Sequence, residues 1–249
     1  MILTSILKLY SWPHILVMIG LIAIITFGLY LVNKKIKTEK SLFVLLLILS
    51  SVMLVCLISA RISHIYHAIE EGKTVDYYGE ARSYSWVMLL PDSFCSFAAL
   101  VIPFLIYFKR YKQSVFIEAI YSLAILGMLS NVFYPEYFNR MPWYEARAIC
   151  ALIYHIILGF IGVTLIVKGY IKPQLKHWYY TPIALAVILT FGLFELTCLD
   201  FAEAYNITHP LVNNLAISSW YFLCLGYILF DVAIRVVYYF VYKNKTVSN

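Results

Sequence analysis

Charge is scarce in this chain. Asp, Glu, Lys and Arg make up 13% of its 249 residues, about half the share found in an ordinary soluble domain. The longest polar stretch runs only from Arg61 to Ser85, which leaves no room for a soluble domain beside the apolar runs. Glycine and proline are also few, at 10 and 8, and they form no linker, repeat or low-complexity tract. That scarcity argues against the paired, broken mid-membrane helices of many transporters. The five cysteines, Cys56, Cys95, Cys150, Cys198 and Cys224, are scattered through apolar runs. None sits in a CxxC pair or at zinc spacing from a histidine, so no metal is expected. No cofactor is expected either: His155 is the one deep imidazole and His14 lies shallower, whereas a haem normally needs axial ligands.

Long apolar runs fill the rest. They fall near 12–33, 40–60, 86–108, 115–134, 146–168, 178–199 and 215–242, each close to the roughly 20 residues that cross a hydrocarbon core. The sequence therefore predicts an all-α membrane protein, a single bundle of about seven transmembrane helices covering residues 1–249. The first run is too long, and too weakly charged before it, for a cleaved signal peptide. Tyrosines and tryptophans near the run ends (Trp12, Trp86, Trp143, Trp178, Trp220) fit an aromatic belt.

The sparse charges alternate from loop to loop. Lys34, Lys35, Lys37 and Lys40 follow the first run; Lys109, Arg110 and Lys112 follow the third. Lys168, Lys172 and Lys176 follow the fifth, and Lys243 and Lys245 the last. By the positive-inside rule these loops are cytoplasmic, which places the N-terminus outside and the C-terminus inside. The net charge of +6 comes largely from these loops and calls for no nucleic-acid partner. A heptahelical receptor invites comparison, but the last span holds no lysine between Leu215 and Tyr242, so a retinal Schiff base there is excluded.

Ionisable side chains deep in the outer half are few: Cys95, His155 and Glu195. Cys95 and His155 each lie about nine residues into spans running from outside to inside, roughly 13–15 Å down. A thiol becomes a nucleophile when an imidazole takes its proton, and the same imidazole then activates the alcohol or water that resolves the thioester. Asp92, Ser93, Asn131, Glu195 and Asp200 gather near the outer ends of spans three, four and six. They are expected to form a polar pocket above the pair, with Asp92, Ser93 or Glu195 orienting the imidazole or binding the oxyanion. The bland reading is that Cys95 packs and His155 bonds between helices, as most lone intramembrane Cys and His residues do. Asp231 and Arg235, spaced i, i+4, read as a structural ion pair.

The stretch Leu89-Leu90-Pro91-Asp92-Ser93-Phe94-Cys95 resembles the Leu-Pro-x-His-x-Cys segment of the YwaF-like bacterial integral membrane proteins. That family is related to transmembrane protein 164, an acyltransferase, and more distantly to the androgen-induced membrane hydrolases. The resemblance continues through Asn131-Val132-Phe133-Tyr134-Pro135, Tyr154 to Gly159 and Val167 to Pro173. It implies a multi-pass protein of a bacterial cell membrane with Cys95 as nucleophile, His155 as its histidine, and a phospholipid or other lipid ester as substrate. The expected function is lipid acyl transfer or hydrolysis; the alternative is a non-catalytic transporter or receptor-like protein. Two departures stand out. Ser93 replaces the family's histidine two residues before the cysteine, and Glu195-Leu196-Thr197-Cys198-Leu199-Asp200-Phe201 replaces an amide-rich segment.

Overall fold

The computed structural model describes residues 10–70, 72, 86–112, 115–135, 144–199, 201, 204–208 and 219–246. Every regular element among them is helical. In chain order these are α1 (Trp12–Lys35), α2 (Glu39–Glu70), α3 (Phe94–Tyr107), α4 (Val115–Phe133), α5 (Ala146–Val167), α6 (Tyr180–Cys198) and α7 (Trp220–Thr246). Short 3-10 turns at Trp86–Leu89 and Leu175–His177 precede α3 and α6. Six helices are long and apolar enough to cross a membrane. The chain is thus an all-helical, multi-pass membrane protein.

Two elements differ from the hydropathy reading, and both shape the site. The third run does not form one span. Its helix α3 has 14 residues and starts at Phe94, because Pro91 biases the residue before it away from helical angles. Ser93 then caps the new start: it accepts from the Ser96 amide, while Ser96 Oγ accepts from the Ser93 amide at 3.1 Å. This reciprocal pair closes a capping box. The second run goes the other way. Helix α2 continues for 32 residues to Glu70, so Arg61 and His64 lie on a helix instead of opening a polar loop.

Helix α4 is the hub, buried on every side from Ile117 to Met128. It packs most extensively on α5 and also meets α3, α6 and α7. Small residues permit this closeness. At Gly159 of α5, an added Cβ would fall 2.2 Å from the Cβ of Met128, so no larger residue fits without moving a helix.

Each end of the bundle is fastened. At the end carrying the basic loops, Lys168 Nζ donates to the Ile36 carbonyl at 2.7 Å, Lys112 pairs with Glu39, and Tyr111 lies between Phe43 and Tyr170. At the opposite end, Tyr205 bridges α6 and the start of α3. Its ring rests against Gly192, its hydroxyl donates to the Pro91 carbonyl, and its amide donates to the Asp92 carbonyl at 2.7 Å.

Candidate functional site

Cys95 is the second residue of α3 and His155 the tenth of α5. The two stand eight residues apart in helix position, because α3 begins only at Phe94, where the hydropathy reading starts its span near residue 86. The two side chains nevertheless meet at Gly127 of α4. A Cβ placed on Gly127 would lie 2.7 Å from Cys95 Sγ and 3.8 Å from His155 Cδ2. Laid end to end, those lengths put Sγ and Cδ2 no more than 6.5 Å apart. The missing side chain on α4 therefore leaves the space that the thiol and imidazole share.

The imidazole is oriented by its own helix. His155 Nδ1 lies 2.8 Å from the Ala151 carbonyl. A carbonyl can only accept, so Nδ1 carries the proton and Nε2 keeps the lone pair in the neutral ring. Cδ2, the carbon next to Nε2, is the ring atom nearest the space left at Gly127. The ring stacks on Tyr154 with centroids 4.0 Å apart.

The sulfur has a third neighbour, the Tyr227 hydroxyl of α7 at 3.9 Å. Its place in the first turn of α3 also matters, because a helix start favours negative charge. The Phe94 and Cys95 amides have no partner among the described residues, whereas the Ser96 and Phe97 amides are satisfied by Ser93.

A polar cavity of about 200 Å³ opens beside the imidazole. His155, Arg147 and Tyr154 of α5 form one wall, Arg61 and His64 of α2 the other, and Asp92 lies between them. Cys95 is not among its lining residues. Arg61 organises this end. Its guanidinium binds Asp92 Oδ1 at 2.6 Å and the Met88 carbonyl at 2.9 Å.

The other expected pocket groups fall differently. Asp92 lines the cavity as an ion-pair partner. Ser93 is committed to the helix cap. Asn131 donates to the Gly127 carbonyl at 2.9 Å, one turn below the free end of its own helix. Glu195 is 0% exposed and its carboxylate oxygens have no partner among the described residues; it does not line the cavity. Asp200 lies outside the described residues. Of the four that are described, Asp92 lines this cavity and Ser93, Asn131 and Glu195 do not, which corrects the expectation of one shared pocket; Arg61 and Arg147 supply the other charges, with the His64 imidazole beside them. The hydropathy reading put Arg61 and His64 in a loop. Their i, i+3 spacing, and the i, i+4, i+8 spacing of Arg147, Ala151 and His155, were the available signals.

At the basic end, Arg235 and Asp231 form the expected pair at 2.7 Å. The pair belongs to a larger network. Arg235 Nη1 also donates to Glu118 Oε1 at 2.9 Å and to the Gln174 carbonyl at 2.8 Å, and His177 Nδ1 lies 2.9 Å from Glu118. Among the described residues no group of three or more His, Cys, Asp or Glu side chains could hold a metal ion.

Comparison with protein-family models, curated proteins and solved structures finds no match to this chain.

Proposed function

We propose that this protein is a membrane lipid acyltransferase or acyl hydrolase, with Cys95 as nucleophile and His155 as general base. One observation carries the reading: the Cys95 thiol and the His155 ring meet at the same notch, opposite Gly127. The likeness to YwaF-like proteins and to transmembrane protein 164 agrees with it.

The reaction follows from the geometry. His155 Nε2 takes the Cys95 proton as the sulfur attacks the ester carbonyl. A bond forms between sulfur and carbon, and the carbonyl oxygen takes up the charge. When the intermediate collapses, the carbon–oxygen ester bond breaks and the imidazolium returns the proton to the departing alkoxide. The acyl chain is then a thioester on Cys95. An acceptor alcohol or water attacks it, giving its proton to Nε2, and the carbon–sulfur bond breaks to restore the thiol.

The substrate is a phospholipid. Arg61, Arg147 and His64 around the cavity supply cationic and donor groups suited to a phosphate, while the surrounding helices present apolar surface to the chains. By the positive-inside rule the cavity end faces outward, which makes the outer leaflet of a bacterial cell membrane the source of the lipid. The test is intact mass of purified protein incubated with tagged phospholipid. A hydroxylamine-labile adduct is expected on wild type and absent from Cys95→Ala. Lack of an adduct on wild type, with unchanged membrane lipids in the variant, leaves a binding or transport role.

A further inference from the structure

We propose that Tyr227 is a catalytic residue, the side-chain donor that stabilises the oxyanion formed when Cys95 attacks an ester. The proposal rests on the acyl-transfer reading above and adds a group on a helix that the Cys–His pair does not use.

Tyr227 lies on α7, far along the chain from both partners. Its ring is held against Phe94, the residue before the nucleophile, with centroids 5.2 Å apart. Phe94 is itself pinned by Tyr205 at 5.5 Å. This packing fixes the height of the tyrosine relative to the start of α3. The hydroxyl then falls 3.9 Å from Cys95 Sγ, its one hydrogen-bonding neighbour among the described residues. A tyrosine within an apolar bundle ordinarily directs its hydroxyl to a firm acceptor. Here it addresses a weak one from a distance.

That distance suits another acceptor. In a tetrahedral intermediate the oxyanion sits one carbon away from the attacking sulfur. A donor nearly 4 Å from the sulfur can stand within hydrogen-bond range of that oxygen, where charge appears only as the reaction proceeds. Tyr227 moves no proton in this step: it donates a hydrogen bond, and His155 does the proton transfers. His155 and Tyr227 come from different helices, so base and donor can flank the thiol at once.

The test uses Tyr227→Phe, which keeps the ring on Phe94 and removes the hydroxyl. Both wild type and variant carry alanine at Cys56, Cys150, Cys198 and Cys224, so that Cys95 is the sole thiol. Two rates are measured. One is acyl-adduct formation from vesicles of phosphatidylcholine with an alkyne-tagged chain. The other is alkylation of Cys95 by iodoacetamide, which uses the same sulfur but forms no oxyanion. Acylation is expected to slow on the order of 100-fold with unchanged half-saturating lipid, while alkylation changes far less, because the hydroxyl meets the sulfur only at 3.9 Å. Equal acylation in the two proteins overturns the proposal. A parallel loss of both rates also overturns it, because that marks a change at the sulfur itself, in its ionisation or its packing, and not at the oxyanion. A wild type that alkylates but never acylates removes the parent reading and this one together.

Discussion

Arg61 and Asp92 join across 2.6 Å, and the same guanidinium binds backbone carbonyls of Met88 and Leu90. One side chain in the last third of α2 thereby fastens the irregular segment that leads into α3. The position of Cys95 depends on that segment, so a residue lining the cavity also sets where the nucleophile helix begins.

Removing this fastening should weaken the fold locally. Arg61→Ala leaves carbonyls and a carboxylate without their donor, at about 2 kcal/mol. Arg61→Lys should recover only part of it, because an ammonium cannot fork to three acceptors as a guanidinium does. Thermal unfolding in detergent measures the loss, and unchanged melting of Arg61→Ala would show that the segment is held by other contacts.

Gly127→Ala should disable the Cys95 site more than the fold. The new methyl would lie 2.7 Å from the sulfur, and the thiol can turn away. Acyl-adduct formation should fall at least on the order of 10-fold, as misplacing a reacting group by about 1 Å readily does. Gly159→Ala is the contrast: its methyl would meet the Cβ of Met128 at 2.2 Å, so the helices must part. About 1–3 kcal/mol of destabilisation is expected there, read as a lower melting temperature.

The two reacting groups should separate by their variants. Cys95→Ser should turn over far more slowly, since a hydroxyl needs more activation than a thiol. His155→Ala should lower the acylation rate on the order of 100-fold or more while the protein remains folded. Retention of full activity by His155→Ala would remove the imidazole from the reaction.

Arg235 carries the fold at the other end. It is 0% exposed and serves Asp231 and Glu118 together. Arg235→Ala leaves two carboxylates without their cation and should cost about 3–5 kcal/mol. Arg235→Met combined with Asp231→Leu should recover much of that, since the buried charge left over is smaller. Melting temperatures of the three proteins decide the matter, and iodoacetamide labelling of Cys95 should be the same in all that fold.

Single cysteines placed at Lys37, Lys112 and Lys172 in a cysteine-free background test the orientation. All three positions should resist an impermeant maleimide on intact cells and react after lysis, as the positive-inside rule requires. Labelling from outside would invert the assignment and turn the cavity to the cytoplasm.

Much of this protein is set by its sequence alone. Six of the seven apolar runs became helices long enough to cross a membrane, because hydropathy over about 20 residues measures transfer into hydrocarbon directly. Asp231 and Arg235 were legible for a similar reason: their i, i+4 spacing puts them together on one helix, whatever surrounds it. The exception was the third run, where hydropathy is uniform but Pro91 and the Ser93–Ser96 cap decide the helix start. Cys95 and His155 could be singled out by chemistry, but their meeting could not be read from depth. It depends on α4 passing between them with no side chain at Gly127. Arg61, His64, Arg147, Tyr227 and Glu118 join their sites only through the rotation and contact of neighbouring helices. Those are fixed by close packing between helices, to which the apolarity of each helix taken singly is blind.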